Sequence, residues 1–151
     1  MKLSRSESAS LFLEPVILVT FQAPADDVAR IMAAVVSITP LAMGRYDCNS
    51  YQSAGGVERY RPREGAAAGP ETAIRERPGV VEVSFELPDD DALVQRVAEA
   101  IFQTHCYQEP VIRISPILSS RSKGLDDSAN PNRWWNTTGD WKTQGAGSKR
   151  T

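Results

Sequence analysis

Two stretches of this chain each join a β-branched run to a run with helical spacing, and that repetition limits what the chain can fold into. The first is Pro15 to Ala23 (PVILVTFQA), followed by Val28, Ile31, Met32, Val35 and Val36 at i, i+3, i+4, i+7 and i+8. The second is Val80 to Leu87 (VVEVSFEL), followed by Leu93, Val94, Val97, Ala98, Ile101 and Phe102. β-Branched and aromatic side chains suit a half-buried pleated surface, and the 3.6-residue recurrence gives each helix one apolar face. Asp26 reads as the N-cap of the first helix, with Asp27 at its positive end, and Pro40 ends it. Pro88 and Asp89-Asp90-Asp91 open the second.

Between the two halves, Tyr46 to Ser53 (YDCNSYQS) alternates, with Tyr46, Cys48 and Ser50 on one face. Gly55-Gly56 is a hairpin signal, and Val57 to Arg61 reads as the returning strand. Pro62 to Pro70 (PREGAAAGP) is a loop, because prolines bracket small residues that supply no core. It lacks the Lys-Ser/Thr ending of a phosphate-cradling loop and reads as a connector, or by analogy a lid. Residues 71–77 stay open between loop and short edge strand. Pro110 to Ile117 forms a last strand. The order is a βαββαβ ferredoxin-like pattern of the α+β class, with two helices on one face of an antiparallel sheet. The opposite face needs a cover, from an oligomer partner or from the C-terminal tail.

At 151 residues the chain suits one domain: a polar leader at 1–14, the strand–helix unit at 15–118 and an extension at 119–151. Residues 1–118 hold 11 Lys/Arg against 16 Asp/Glu, and 119–151 hold 6 against 3. Nucleic-acid binding needs uncompensated positive charge, so it is not expected. Two cysteines and one histidine exclude a disulfide scaffold or a histidine-rich metal centre. No window approaches the ~20 apolar residues of a membrane span, and the leader has no secretory apolar core. A cytoplasmic protein is the expectation.

Gly44-Arg45-Tyr46-Asp47-Cys48-Asn49-Ser50-Tyr51, a Gly-containing turn and Arg61-Pro62-Arg63-Glu64-Gly65 resemble a motif of the Ngg-interacting-factor-three-like family. The motif lies in the domain inserted into its bacterial, YqfO-type members. His105-Cys106-Tyr107-Gln108-Glu109-Pro110 is similar to that domain's His-Pro-Tyr-Glu-Glu signature before the final strand. Order and separations agree over about residues 15–118. The inserted domain is in turn similar to the divalent-cation-tolerance protein CutA and to the PII signal transducers. The resemblance implies a unit that trimerises through its sheets, which would cover the bare sheet face. Cys106 stands where the family has Pro and Gln108 where it has Glu, so one acid, Glu109, remains of a pair. The two-metal centre of the larger family sits on flanking halves without a counterpart in these residues, so its hydrolase activity is not expected to carry over.

Tyr46, Asp47, Tyr51, Arg61, His105 and Glu109 are the expected ligand-binding residues, because they fall in those motifs and are polar at the sheet rim. Arg59, Arg61 and Arg63 alternate along the returning strand, where they fit either an anion clamp or a charged edge, and neighbouring glutamates point to local pairing. His105, Cys106 and Glu109 offer imidazole, thiolate and carboxylate to copper or zinc, although no cofactor is required. Successive residues of an extended segment point apart, which separates His105 from Cys106, and His105 alternatively caps the helix end. Cys48 reads as a small buried strand residue. Trp134, Trp135 and Trp141 form an aromatic anchor in the extension, for packing on the protein's own trimer or on a partner. The expected function is a non-catalytic homotrimeric module that binds a small molecule or a divalent cation. Two alternatives are a small enzyme with His105 as general base, and a scaffold that recruits a partner through the Trp-bearing tail.

Overall fold

A computed structural model describes residues 5–124, 129–140 and 142. The elements are β1 (Ser6–Glu7), β2 (Leu11–Pro24), α1 (Val28–Ile38), β3 (Tyr51–Gln52), β4 (Gly56–Tyr60), β5 (Arg75–Leu87), α2 (Asp91–Thr104) and β6 (Ile112–Ser122). β2 is central, antiparallel to β6 over Leu11–Phe21 and to β5 over Ile17–Pro24. β1 pairs Phe12 and Leu13 of β2, beyond the end of β5. The far edge of β5 carries both β3 and β4. Read across, the order is β6-β2-β5 and then β3 with β4, all antiparallel. With both helices on one face, this is the expected α+β ferredoxin-like sandwich.

Register explains the core. Val19 stands opposite Phe85 on one side and Ile114 on the other, and Phe21 opposite Val83 and Ile112. Directly opposed residues share a face, so the odd positions of β2 and β5 meet Ile31 and Val35 of α1 and Val97 and Ile101 of α2. Phe21, Ile31, Leu87 and Ile101 are fully enclosed there, each worth about 1.5–3 kcal/mol of burial.

The helices start differently. In α2 the Asp90 carboxylate accepts from the N–H groups of Ala92 (3.0 Å) and Leu93 (3.2 Å), closing the first turn. α1 follows a 3-10 turn at Ala25–Asp27, and no side chain caps it. The Asp26 cap expected from sequence is therefore replaced, and Asp27 spends its carboxylate on Arg30 at 3.0 Å. Thr39 is extended ahead of Pro40, whose ring disfavours helical geometry in the preceding residue, so α1 stops at Ile38.

Four sequence expectations change. Residues 46–50 are not a strand: Cys48 is exposed with φ of +53°, and the pairing covers Tyr51 and Gln52 alone. Gly55-Gly56 does not turn a hairpin, since β3 and β4 both pair with β5. Gly55 instead lies so close to Gly79 that an added Cβ would come within 3.3 Å of its Cα. Residues 75–77 open β5, with a register shift where Gly56 meets Val80 and Val57 meets Pro78. Arg61 and Arg63 fall beyond β4, so the three arginines do not share a strand face. The two central strands are long, with β2 beginning at Leu11 and β6 ending at Ser122.

The sheet face away from the helices is not simply bare. Val16 and Val80 on it are nearly covered, at 4% and 7% exposure. Arg121 bridges Glu14 (3.0 Å) and Glu86 (2.8 Å), and Gln22 and Arg113 both reach Glu82. Leu18 and Ile117 lie among these polar groups by register.

Candidate functional site

The loop from Thr39 to Ser50 is built around Asn49. Its side-chain amide donates to the carbonyls of Leu41 (2.9 Å) and Tyr46 (3.1 Å), and its own N–H donates to Leu41. The Cys48 N–H donates to Pro40, and Met43 and Tyr46 exchange two main-chain bonds. These ties hold Leu41 and Cys48 in left-handed backbone at φ of +50° and +53°. Such a conformation costs a non-glycine residue of order 1–3 kcal/mol. Leu41 offsets it by entering the core, where it is 3% exposed.

Because β3 begins only at Tyr51, opposite Ser84, the loop rather than a strand passes the last part of β5. A cleft of about 250 Å³ opens between them. Its apolar lining comes from Leu18, Leu41, Met43 and Phe85. Its polar lining comes from Asn49, Ser50, Ser84 and Glu86, together with the exposed Tyr51. Glu86 is held by Arg121 and by the Ser119 hydroxyl, which donates to it.

The six expected ligand-binding residues fall into separate places. Tyr51 lines the cleft, and Tyr46 and Asp47 belong to the loop that bounds it. Arg61 is exposed just past β4. His105 and Glu109 lie on the connection from α2 to β6, and His105 contacts Gln22, four positions along β2 from Leu18, roughly 13 Å away.

His105 is engaged through both ring nitrogens. Nδ1 accepts the Tyr107 N–H at 3.0 Å, so Nε2 carries the proton and donates to the Gln22 carbonyl at 2.7 Å. Neither nitrogen is left with a lone pair for a metal or a substrate proton, and the ring does not cap the last carbonyls of α2. The Cys106 thiol faces Asp27, and its pKa is raised, first by burial and then by that carboxylate. His105, Cys106 and Glu109 therefore do not fit a shared copper or zinc ion, and among the described residues no three His, Cys, Asp or Glu converge. Tyr107 closes the cluster: its hydroxyl donates to Glu58 at 2.7 Å, and the Arg77 guanidinium lies over its ring at 4.9 Å. Arg59 pairs with Glu76 and Arg75 with Glu71, as the interspersed charges suggest.

In the extension, Trp134 and Trp135 form one 3-10 turn at 54% and 41% exposure, and Arg133 lines a second cavity with Ser10, Ser120 and Ser122. Trp141 lies outside the described residues. No described helix is long and apolar enough to cross a membrane.

Asn49, Ser84 and Glu86 were not expected at a site. Asn49 carries a weak signal, since asparagine favours turns, but Ser84 and Glu86 read only as the polar half of an alternating strand.

No family model matches the chain, and no curated protein matches it by sequence. Among solved structures it is similar to a Bacillus cereus protein related to NIF3, with a TM-score of 0.57 and 18% identity over 78% of this chain. The match spans 31% of that protein, about a third of its length. It is also similar to CutA1 from the psychrotrophic bacterium Shewanella sp. SIB1, with a TM-score of 0.50 and 17% identity, covering 74% of this chain and 85% of the other. Likeness at such identity establishes the fold.

Proposed function

We propose that this protein is a non-catalytic binding module that assembles as a homotrimer through the open face of its sheet and holds a small molecule in the cleft beside β3. The observation that carries the proposal is the cleft: its lining mixes apolar and polar side chains, and a loop with two left-handed non-glycine residues bounds it. Backbone strain of that kind concentrates at ligand clamps and switches. Leu18, Ser84 and Glu86 also belong to the open face by register, so a neighbouring copy packed there would wall the cleft. The proposal of kinship with the inserted domain of the Ngg-interacting-factor-three-like family rests on the motifs at 44–65 and 105–110. The engaged nitrogens of His105 favour binding over catalysis.

Two measurements test it. Light scattering on the purified chain is expected to give three times the 16.5 kDa chain mass; a monomer refutes the trimer. A metabolite screen by thermal shift is expected to yield a compound that raises the melting temperature of the native chain and not of Tyr51→Ala. A compound whose effect survives Tyr51→Ala binds elsewhere and refutes this site.

A further inference from the structure

Resting on the small-molecule role proposed above, we infer that the cleft selects an organic cation, a primary or secondary amine on a short apolar body. Each polar side chain in its lining can accept a hydrogen bond, and none of them is cationic. The Asn49 amide nitrogen is spent on Leu41 and Tyr46, which leaves its carbonyl oxygen for a ligand. Ser50 and Ser84 add hydroxyls, and the one ionised group in the lining is the Glu86 carboxylate. No Lys, Arg or His lines the space, so a phosphate or carboxylate ligand finds no cation there. Arg45 lies in the same loop, exposed, and is not part of the lining.

The charges around Glu86 do not cancel it. Arg121 is shared by Glu86 and Glu14, so these three side chains sum to one negative charge, and they are half-buried. The next pair on that face, Arg113 with Glu82, is neutral in sum. A ligand ammonium completes the balance that one guanidinium leaves unfinished between two carboxylates. The Tyr51 ring in the lining adds a π face, which attracts cations. The volume is below the roughly 300 Å³ at which drug-sized sites begin, so the apolar body is limited to about one ring and a short linker.

Calorimetric titration of the full chain at pH 7.5 tests this with three near-isosteres: 2-phenylethylamine, 2-phenylethanol and 3-phenylpropionate. The amine is expected to bind at least about tenfold more tightly than the alcohol, the advantage of a charge-assisted bond, and the acid not at all. Glu86→Gln is expected to remove the amine's advantage. Glu14→Gln, outside the cleft, takes the net charge to zero and is expected to weaken the amine several-fold while leaving the alcohol unchanged; it serves if Glu86→Gln does not fold. Equal binding of amine and alcohol, or tightest binding of the acid, overturns the cation inference and leaves the small-molecule role standing. If none of the three binds and the screen returns a neutral or anionic compound lost in Tyr51→Ala, the inference alone fails. An empty screen removes both.

Discussion

The Nε2 of His105 donates to the main-chain carbonyl of Gln22 at 2.7 Å, tying the end of α2 to β2 across 83 positions of sequence. The second nitrogen accepts the Tyr107 N–H, so the ring is a cross-brace. His105→Ala is expected to lower the unfolding free energy by about 1–3 kcal/mol, since both backbone groups lose a partner. The same variant is expected to bind zinc and copper no differently from the native chain. Urea denaturation and metal titration check the two halves; a loss of metal affinity would restore His105 as a ligand.

Cys106 and Asp27 share a proton-sensitive contact. The carboxyl of Asp27 is held below its ordinary range, first by the hydrogen bond from the Cys106 thiol and then by Arg30. A depressed carboxyl stabilises the fold above its unfolded pKa, about 3.9, and the benefit is lost as pH falls through the lower folded value. Asp27→Asn is therefore expected to lower the urea midpoint at pH 7, with the difference closing below about pH 4. It is also expected to speed iodoacetamide labelling of Cys106 in a Cys48→Ser background, because the carboxylate that helps keep the thiol protonated is gone.

Tyr107 predicts an alkaline limit. Burial, and then its bond to Glu58, push its hydroxyl up to about 12. A raised folded pKa gives stability that is complete below the unfolded value of about 10 and is lost as pH rises from there to the folded value. Absorbance titration of the four tyrosines is expected to show one ionising last. Tyr107→Phe is expected to delete that step and flatten the loss of stability above about pH 10.

Asn49→Ala frees the carbonyls of Leu41 and Tyr46 together. A cost of about 1–3 kcal/mol is expected, read from denaturant midpoints, along with faster amide exchange through residues 41–49. If exchange in this segment is unchanged, the loop is held by something other than Asn49.

The helices and the long strands were legible because their signals are local and repeat. Phe21, Val83, Ile101 and their neighbours sit at the periods that the pleat and the helix impose. Residues 46–50 misled because their alternation is real, yet two backbone reversals at Leu41 and Cys48 carry the chain past β5 without pairing. Little local marks those reversals, since neither residue is a glycine and, beside the Asn49 amide, the ties that maintain them are main-chain bonds. The cleft was half legible. Tyr51 stood in a motif, whereas Glu86 acquires its meaning from Arg121, 35 positions later. His105 was conspicuous as the single histidine, and its partners are main-chain atoms, which a sequence does not display.

The two short strands on the edge of β5 are anchored by different means. Ser53, just after β3, exchanges bonds with the main chain of Glu82, while β4 from Val57 onward pairs beyond the irregularity at Gly79. That irregularity resets the alignment, so a change in the length of residues 61–74 is absorbed on the β4 side and leaves the Tyr51–Ser84 pairing where it is. The molecule thus has a tolerant margin and an intolerant one on a single strand, and natural variation in length can accumulate at the first without reshaping the second.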